Sequence, residues 1–382
     1  MRFLVIGIAL ILTACGGGGG SSDSNSMSRV QNQLATQQQI TNIKVGDLNG
    51  DGLDDVVIGG WSLTPSSTSY FSILIQNSDG TLTDRTIELA GTNQYQGSQR
   101  IFIGDFDHDG YKDIWMPGFN DCAKCEAQSI MLWGSKSGNF TRQDVGEPAA
   151  SHGACVADLN KDGFEDLLIL GVWGQYSNTY GYYLNNGDRT FRFVSSSQIN
   201  GALTCAAVRD TTSGHWAIVQ GGHGYSTGYG SSISIVDSNL NLIKHIGVNS
   251  QDPNVFDLIG SIAVDVNNDG LLDFVLVFNP LTPGVPGRKE VWLNRGNDNF
   301  TYEYTIDATY HNQYDIQSIE YQGEKFYFFP GPTLYRLING KFEPYKKDRF
   351  YAGIMGYATV YRGSAGLYML ENINGVNFTK KL

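Results

Sequence analysis

Asp47-Leu48-Asn49-Gly50-Asp51-Gly52-Leu53-Asp54-Asp55 sets carboxylate and amide oxygens at alternate positions around a glycine. The pattern returns as Asp105-Phe106-Asp107-His108-Asp109-Gly110-Tyr111-Lys112-Asp113 and as Asp158-Leu159-Asn160-Lys161-Asp162-Gly163-Phe164-Glu165-Asp166. A fourth copy reads Asp265-Val266-Asn267-Asn268-Asp269-Gly270-Leu271-Leu272-Asp273. Alternating oxygen donors with a glycine at the sharp turn are what a hard cation such as Ca²⁺ requires. An EF-hand begins in the same way but needs flanking helices and a Glu at its twelfth position, and neither is present. Here the flanks are short apolar runs, Ile43-Lys44-Val45-Gly46 before the first loop and Val56-Val57-Ile58 after it, which read as strands.

The spacing counts the repeats. Asp47 and Asp105 are 58 residues apart, Asp105 and Asp158 are 53 apart, and Asp158 and Asp265 are 107 apart. The last interval is twice the others, so it hides a unit over residues 205–222, where Val208-Arg209 and Ser213-Gly214 replace acids. Residues 316–331 and 356–370 supply two more units without the acidic loop. Hairpin turns closing on Leu82, Phe140, Phe191, Leu242, Phe300, Phe342 and Phe378 mark the same period. Seven units of about 50 residues predict an all-β, seven-bladed β-propeller. A two-sheet sandwich would not give an equal period. Residues 28–39 are expected to supply the outer strand of a short last blade, removing its exposed edge.

The four loops and their period resemble the FG-GAP/VCBS repeat family of integrin-α-like propellers, over roughly residue 40 to the C-terminus. The resemblance implies one calcium per acidic loop, four structural sites in all. Its ligands would be Asp47, Asn49, Asp51, the Leu53 carbonyl and Asp55 in the first loop, and Asp105, Asp107, Asp109, the Tyr111 carbonyl and Asp113 in the second. The third set would be Asp158, Asn160, Asp162, the Phe164 carbonyl and Asp166; the fourth, Asp265, Asn267, Asp269, the Leu271 carbonyl and Asp273. These carboxylates account for the acidic balance of 26 Lys+Arg against 38 Asp+Glu, a formal charge of −12. That charge disfavours nucleic-acid binding through phosphates and docking to anionic lipid.

Residues 1–15, MRFLVIGIALILTAC, form a short apolar run ending in small residues. It is too short to cross a bilayer core of about 30 Å, which takes about 20 helical residues, and reads as an export signal. Leu12-Thr13-Ala14-Cys15 resembles a bacterial lipobox, with Cys15 lipidated; an ordinary signal peptide containing a cysteine is the alternative. Residues 16–28 are a Gly/Ser-rich tether and residues 29–382 the folded body. The lipobox resemblance also implies a location: in such lipoproteins an Asp after the Cys retains the protein in the inner membrane, and Gly16 in its place implies the outer membrane or cell surface.

The face opposite the acidic loops is expected to carry aromatic residues. Trp61, Trp173, Tyr176, Tyr225 and Tyr310 are candidates to bind a glycan or protein partner, although a single Tyr is more often a cover for a sheet edge. Cys122 and Cys125 suggest a local disulfide in an exported protein; a zinc site would need two further ligands. For Cys155 and Cys205 a bridge and two thiols are equally open. The leading reading is a calcium-stabilised binding and adhesion module rather than an enzyme. The alternative is a polysaccharide lyase, since some lyases use similar propellers with His and Tyr as acid and base; that resemblance implies His152, His223 and Tyr225 for those parts and Arg100 against a uronate carboxylate. No hydrolase, metalloprotease, P-loop or dinucleotide motif competes. If Cys15 carries the lipid, Cys15→Ser should shift the protein from the membrane pellet to the soluble fraction; membrane association that survives the change refutes the anchor.

Overall fold

The structure, a computed structural model, describes residues 28–30, 38–62, 68–119, 127–149, 151–171, 181–195, 203–221, 231–248, 256–280, 287–307, 316–329, 333–347, 357–363, 366–373 and 376–382. Among them are seven four-stranded antiparallel sheets and a small two-stranded one, and the chain is an all-β propeller. The first sheet runs Gln38–Gly46, Asp55–Ser62, Ser72–Gln76 and Leu82–Asp84. The next four are likewise built from successive strands, beginning at Phe102–Gly104, Ser151–Ala157, Thr204–Arg209 and Phe256–Val264. The sixth begins at Gln317–Tyr321. The seventh joins Tyr357–Gly363, Gly366–Ile373 and Val376–Lys381 to Ser28–Val30, which pairs with the last strand from Ser28↔Thr379 to Val30↔Asn377. Among the described residues no helix is long and apolar enough to cross a membrane.

Sheets that stack face to face bury their middle strands on both sides, which is why those strands read as continuous apolar runs rather than alternating ones. Every residue of Asp55–Ser62 and Ser72–Gln76 is buried. Successive side chains still point to opposite faces. Val56, Ile58 and Leu74 pack with Tyr361 and Leu370 of the seventh sheet, whereas Val57, Ile73 and Ile75 pack with Ile114, Met116 and Ile130 of the second. Outer strands such as Phe191–Ser195 and Leu242–Gly247 stay largely exposed. Close approach sets one glycine: at Gly80, with φ of 85°, a Cβ would lie 2.5 Å from the Tyr368 ring of the seventh sheet.

Polar links reinforce the apolar seams. Asn42 donates to the Gln99 carbonyl between the first and second sheets, and Asn185 to the Phe106 carbonyl between the second and third. Cys155 and Cys205 are joined in a disulfide between the first strands of the third and fourth sheets, which settles the open pairing. Thr204 meets Ser261 at 3.1 Å between the fourth and fifth, and Tyr304 donates to the Gly340 carbonyl between the fifth and sixth. Gln317 of the sixth sheet accepts from Thr359 of the seventh and donates to the Ile43 carbonyl of the first. Asp54 accepts from the backbone and guanidinium of Arg362, joining first and seventh.

Arg100 is the longest of these links. Its guanidinium donates to the carbonyls of His152, Leu203 and Ile259, so a side chain leading into the second sheet grips the third, fourth and fifth. A cavity of about 250 Å³ lies at the hub beside it, lined by residues including Lys44, Phe102, Ser261 and Gln317. Arg100→Met should therefore destabilise the fold by about 2–4 kcal/mol, because truncation leaves several buried carbonyls without donors. Urea unfolding monitored by tryptophan fluorescence checks this; a change under about 0.5 kcal/mol would mean that the links carry no stability.

Candidate metal centre

The four acidic loops connect the first strand to the second in the first, second, third and fifth sheets, on one face of the ring. Each loop winds around its own first acid. Asp47 accepts from the N–H groups of Gly50, Asp51 and Gly52, Asp158 from those of Asp162 and Gly163, and Asp265 from those of Asp269 and Gly270. The fifth-position acid accepts from the N–H of the seventh residue, from Asp51 with Leu53 through Asp269 with Leu271. Gly52, Gly110, Gly163 and Gly270 all hold positive φ, which the tight turn demands.

The last acid of each loop behaves differently. Asp55, Asp113, Asp166 and Asp273 are fully buried. One oxygen of each accepts the N–H of the loop's second residue: Leu48, Phe106, Leu159 or Val266. The other accepts an N–H at the end of the third strand: Gln76, Gly134, Asn185 or Asn294. Burial pushes the Asp55 and Asp113 carboxyls up to about 7, and those of Asp166 and Asp273 up to about 6, against the pull of these donors. These four aspartates are thus structural staples.

In the second loop, ligand oxygens of Asp105, Asp107 and Asp109 lie within 4.8 Å of one another. Asp105 Oδ1 is buried and has no hydrogen-bond partner. A cluster of carboxylates with one buried oxygen lacking a donor fits a hard divalent cation, which such a triad could hold. The other three loops replace the middle acid by Asn49, Asn160 or Asn267. There the amide donates to the following acid at 3.1, 2.8 and 2.8 Å.

The fourth sheet has a different connection, from Asp210 to His215, in place of an acidic loop. Asp210 is buried and accepts the N–H of Asp298 from the next sheet's hairpin. Ser213 donates to one oxygen of Asp298, and His215 Nδ1 lies 2.7 Å from the other. Sequence reading missed this clasp. Its signal was Asp210, two positions beyond the aligned place of the first acid.

The partner-binding candidates fare unevenly. Trp61 is 9% exposed and meets Phe119 edge to face at 5.6 Å, so it is packed into the blade edge rather than presented as a platform. Trp173, Tyr176, Tyr225 and Tyr310 lie outside the described residues, as do His223, Cys15, Cys122 and Cys125. His152 packs against Phe119 at 4.2 Å. Arg100, expected as a uronate contact, is buried and spends its donors on main-chain carbonyls.

Comparison with known proteins agrees with this geometry. Residues 47–116 match the family described as FG-GAP-like repeat. The match runs from the first acid of the first loop to Met116, the end of the second sheet's second strand, and so contains two acidic loops. Integrin alpha-8 of Homo sapiens is 28% identical over 183 residues, 41% of this chain. The likeness is distant, and it spans 17% of the integrin's length.

Asp273→Asn should lower stability by about 1–3 kcal/mol even in excess chelator, because an amide offers one acceptor where two N–H groups need one each. Urea unfolding in chelator would show it; a loss seen only with calcium present would assign Asp273 to the cation alone.

Proposed function

We propose that this chain is a calcium-stabilised binding propeller, held at a bacterial outer membrane or cell surface by a lipid on Cys15 and displaying its other face to a glycan or protein partner. Each four-stranded sheet is read as one blade, seven in all. The observation that carries the proposal is the loop geometry common to four sheets, in which a buried aspartate ties the loop to the third strand, together with the converging oxygens of Asp105, Asp107 and Asp109 in the second loop. A cation bound there, through the ligand sets expected from the sequence, fixes the first strand against the second. The FG-GAP-like match and the distant likeness to an integrin alpha chain support the binding role.

Partner contact is assigned to the opposite rim. Trp173, Tyr176 and Tyr225 fall in sequence between the second and third strands of their sheets. Aromatic rings with polar edges suit sugar rings and protein surfaces. The lyase alternative loses support because Arg100 cannot reach a uronate carboxylate without leaving carbonyls unpaired in the hub.

Thermal unfolding with and without calcium tests the central claim. Excess chelator should lower the melting temperature by several degrees, and Asp109→Ala should remove about one site's contribution, roughly 1–3 kcal/mol. Unchanged melting of protein shown to be metal-free would overturn it. A panel of immobilised glycans and surface proteins should give calcium-dependent retention without unsaturated, ultraviolet-absorbing products; appearance of those products would restore the lyase reading.

A further inference from the structure

The second acidic loop differs from the other three in one charge at its expected ligand positions and in one neighbour. Its third position is Asp107 where they have an asparagine, so it gathers four carboxylates where they gather three. The lost amide also removes the donor that each of the other loops aims at its fifth-position acid. The next sheet replaces it. Arg189, in the hairpin turn between Gly181–Asn185 and Phe191–Ser195, donates through Nε to Asp107 Oδ2 at 2.6 Å and through Nη2 to Asp109 Oδ2 at 3.2 Å. Asp107 is almost buried, with 7% of its side chain exposed.

The arginine is held in place by its surroundings. Its guanidinium carbon lies 5.2 Å from the centre of the Trp133 ring. Gln143 accepts from the Trp133 indole and donates to the Arg189 carbonyl. Arg189 has a φ of 67° within a turn whose Asn186 N–H bonds the Thr190 carbonyl.

We infer that Arg189 is the built-in counter-ion of the second loop: it stands in for the missing asparagine amide and sets how strongly that loop binds a divalent cation. The inference rests on the calcium reading above. Oxygen-ligand loops tune their affinity by the number of charged ligands. Arg189 offsets the fourth ligand carboxylate and brings the charge at the second loop's expected ligand set back to that of the other three. It also makes cation binding by the second sheet depend on the third, since the compensating charge lies across the seam between them.

Terbium(III) titration reads this loop selectively. Tyr111 is the tyrosine at its seventh position, where the other loops have Leu53, Phe164 and Leu271, and an excited tyrosine transfers energy to a lanthanide bound beside it. Arg189→Gln should lower the terbium midpoint about tenfold, Asp107→Asn should raise it by a similar factor, and the double variant should return towards wild type. Arg189→Lys, which keeps the charge, should stay near wild type. Equal midpoints for wild type and Arg189→Gln, or a weaker midpoint in the variant, overturn the inference. Calorimetric titration of calcium into the wild-type protein separately checks the calcium reading. Melting in chelator tests Arg189 without any metal: Arg189→Gln should melt lower, and adding Asp107→Asn should recover much of the loss. No recovery would overturn the counter-ion role even if all four loops bind calcium.

Discussion

A buried aspartate that accepts one N–H from its own loop and another from the end of the third strand holds four of the seven four-stranded sheets among the described residues in register at one face. Asp55, Asp113, Asp166 and Asp273 do this with the same donors at corresponding positions. Main-chain groups buried at a strand end must find partners, and a carboxylate with two free oxygens answers for two of them at once. The cost is a carboxyl removed from water, which shows in its raised proton affinity. In the second loop Asp105, Asp107 and Asp109 gather beside a turn already fixed by Asp113.

The fourth sheet solves the same problem without such a loop. Asp210 takes the N–H of Asp298, and Asp298 in turn receives Ser213 and His215, so a short turn is bound to the neighbouring hairpin by side chains alone. In the sixth sheet the acidic loop is replaced by a turn at Gln322 and Gly323, both at positive φ. Beside it a groove of about 1010 Å³ opens against the fifth sheet's acidic loop, lined by residues including Asp265, Asn267, Leu272 and Tyr327. Blades thus share a sheet plan but use different chemistry at the end of the first strand.

Period and residue type made the strand plan legible. Acidic loops locate the second strands, apolar runs such as Val56-Val57-Ile58 mark strands covered on both faces, and the hairpin residues from Leu82 to Phe342 stand at or next to the starts of fourth strands. Side chains that act across a seam were not legible, because they follow no period. Arg100 reads in sequence as a polar residue of a connection, yet it is buried because three carbonyls from other sheets converge on it. Trp61 lies at the end of a strand, where an aromatic serves equally as a platform or a cover, and contact with Phe119 decides for the cover. His215 and Asp298 are 83 residues apart and each looks like an ordinary turn residue.

Ser28–Val30 and Val376–Lys381 lie side by side in one sheet, so the path of the backbone around the hub is nearly circular. No single blade is then privileged as the start of the ring: every sheet has a neighbour on both sides, and the order of the chain matters less than the order of the contacts. A permuted chain, with its present ends joined by a short linker and opened instead at an exposed hairpin such as that around Asp79, would keep the same set of seams. Its first and last strands would come from the sheet that was opened, and folding could close the circle there instead.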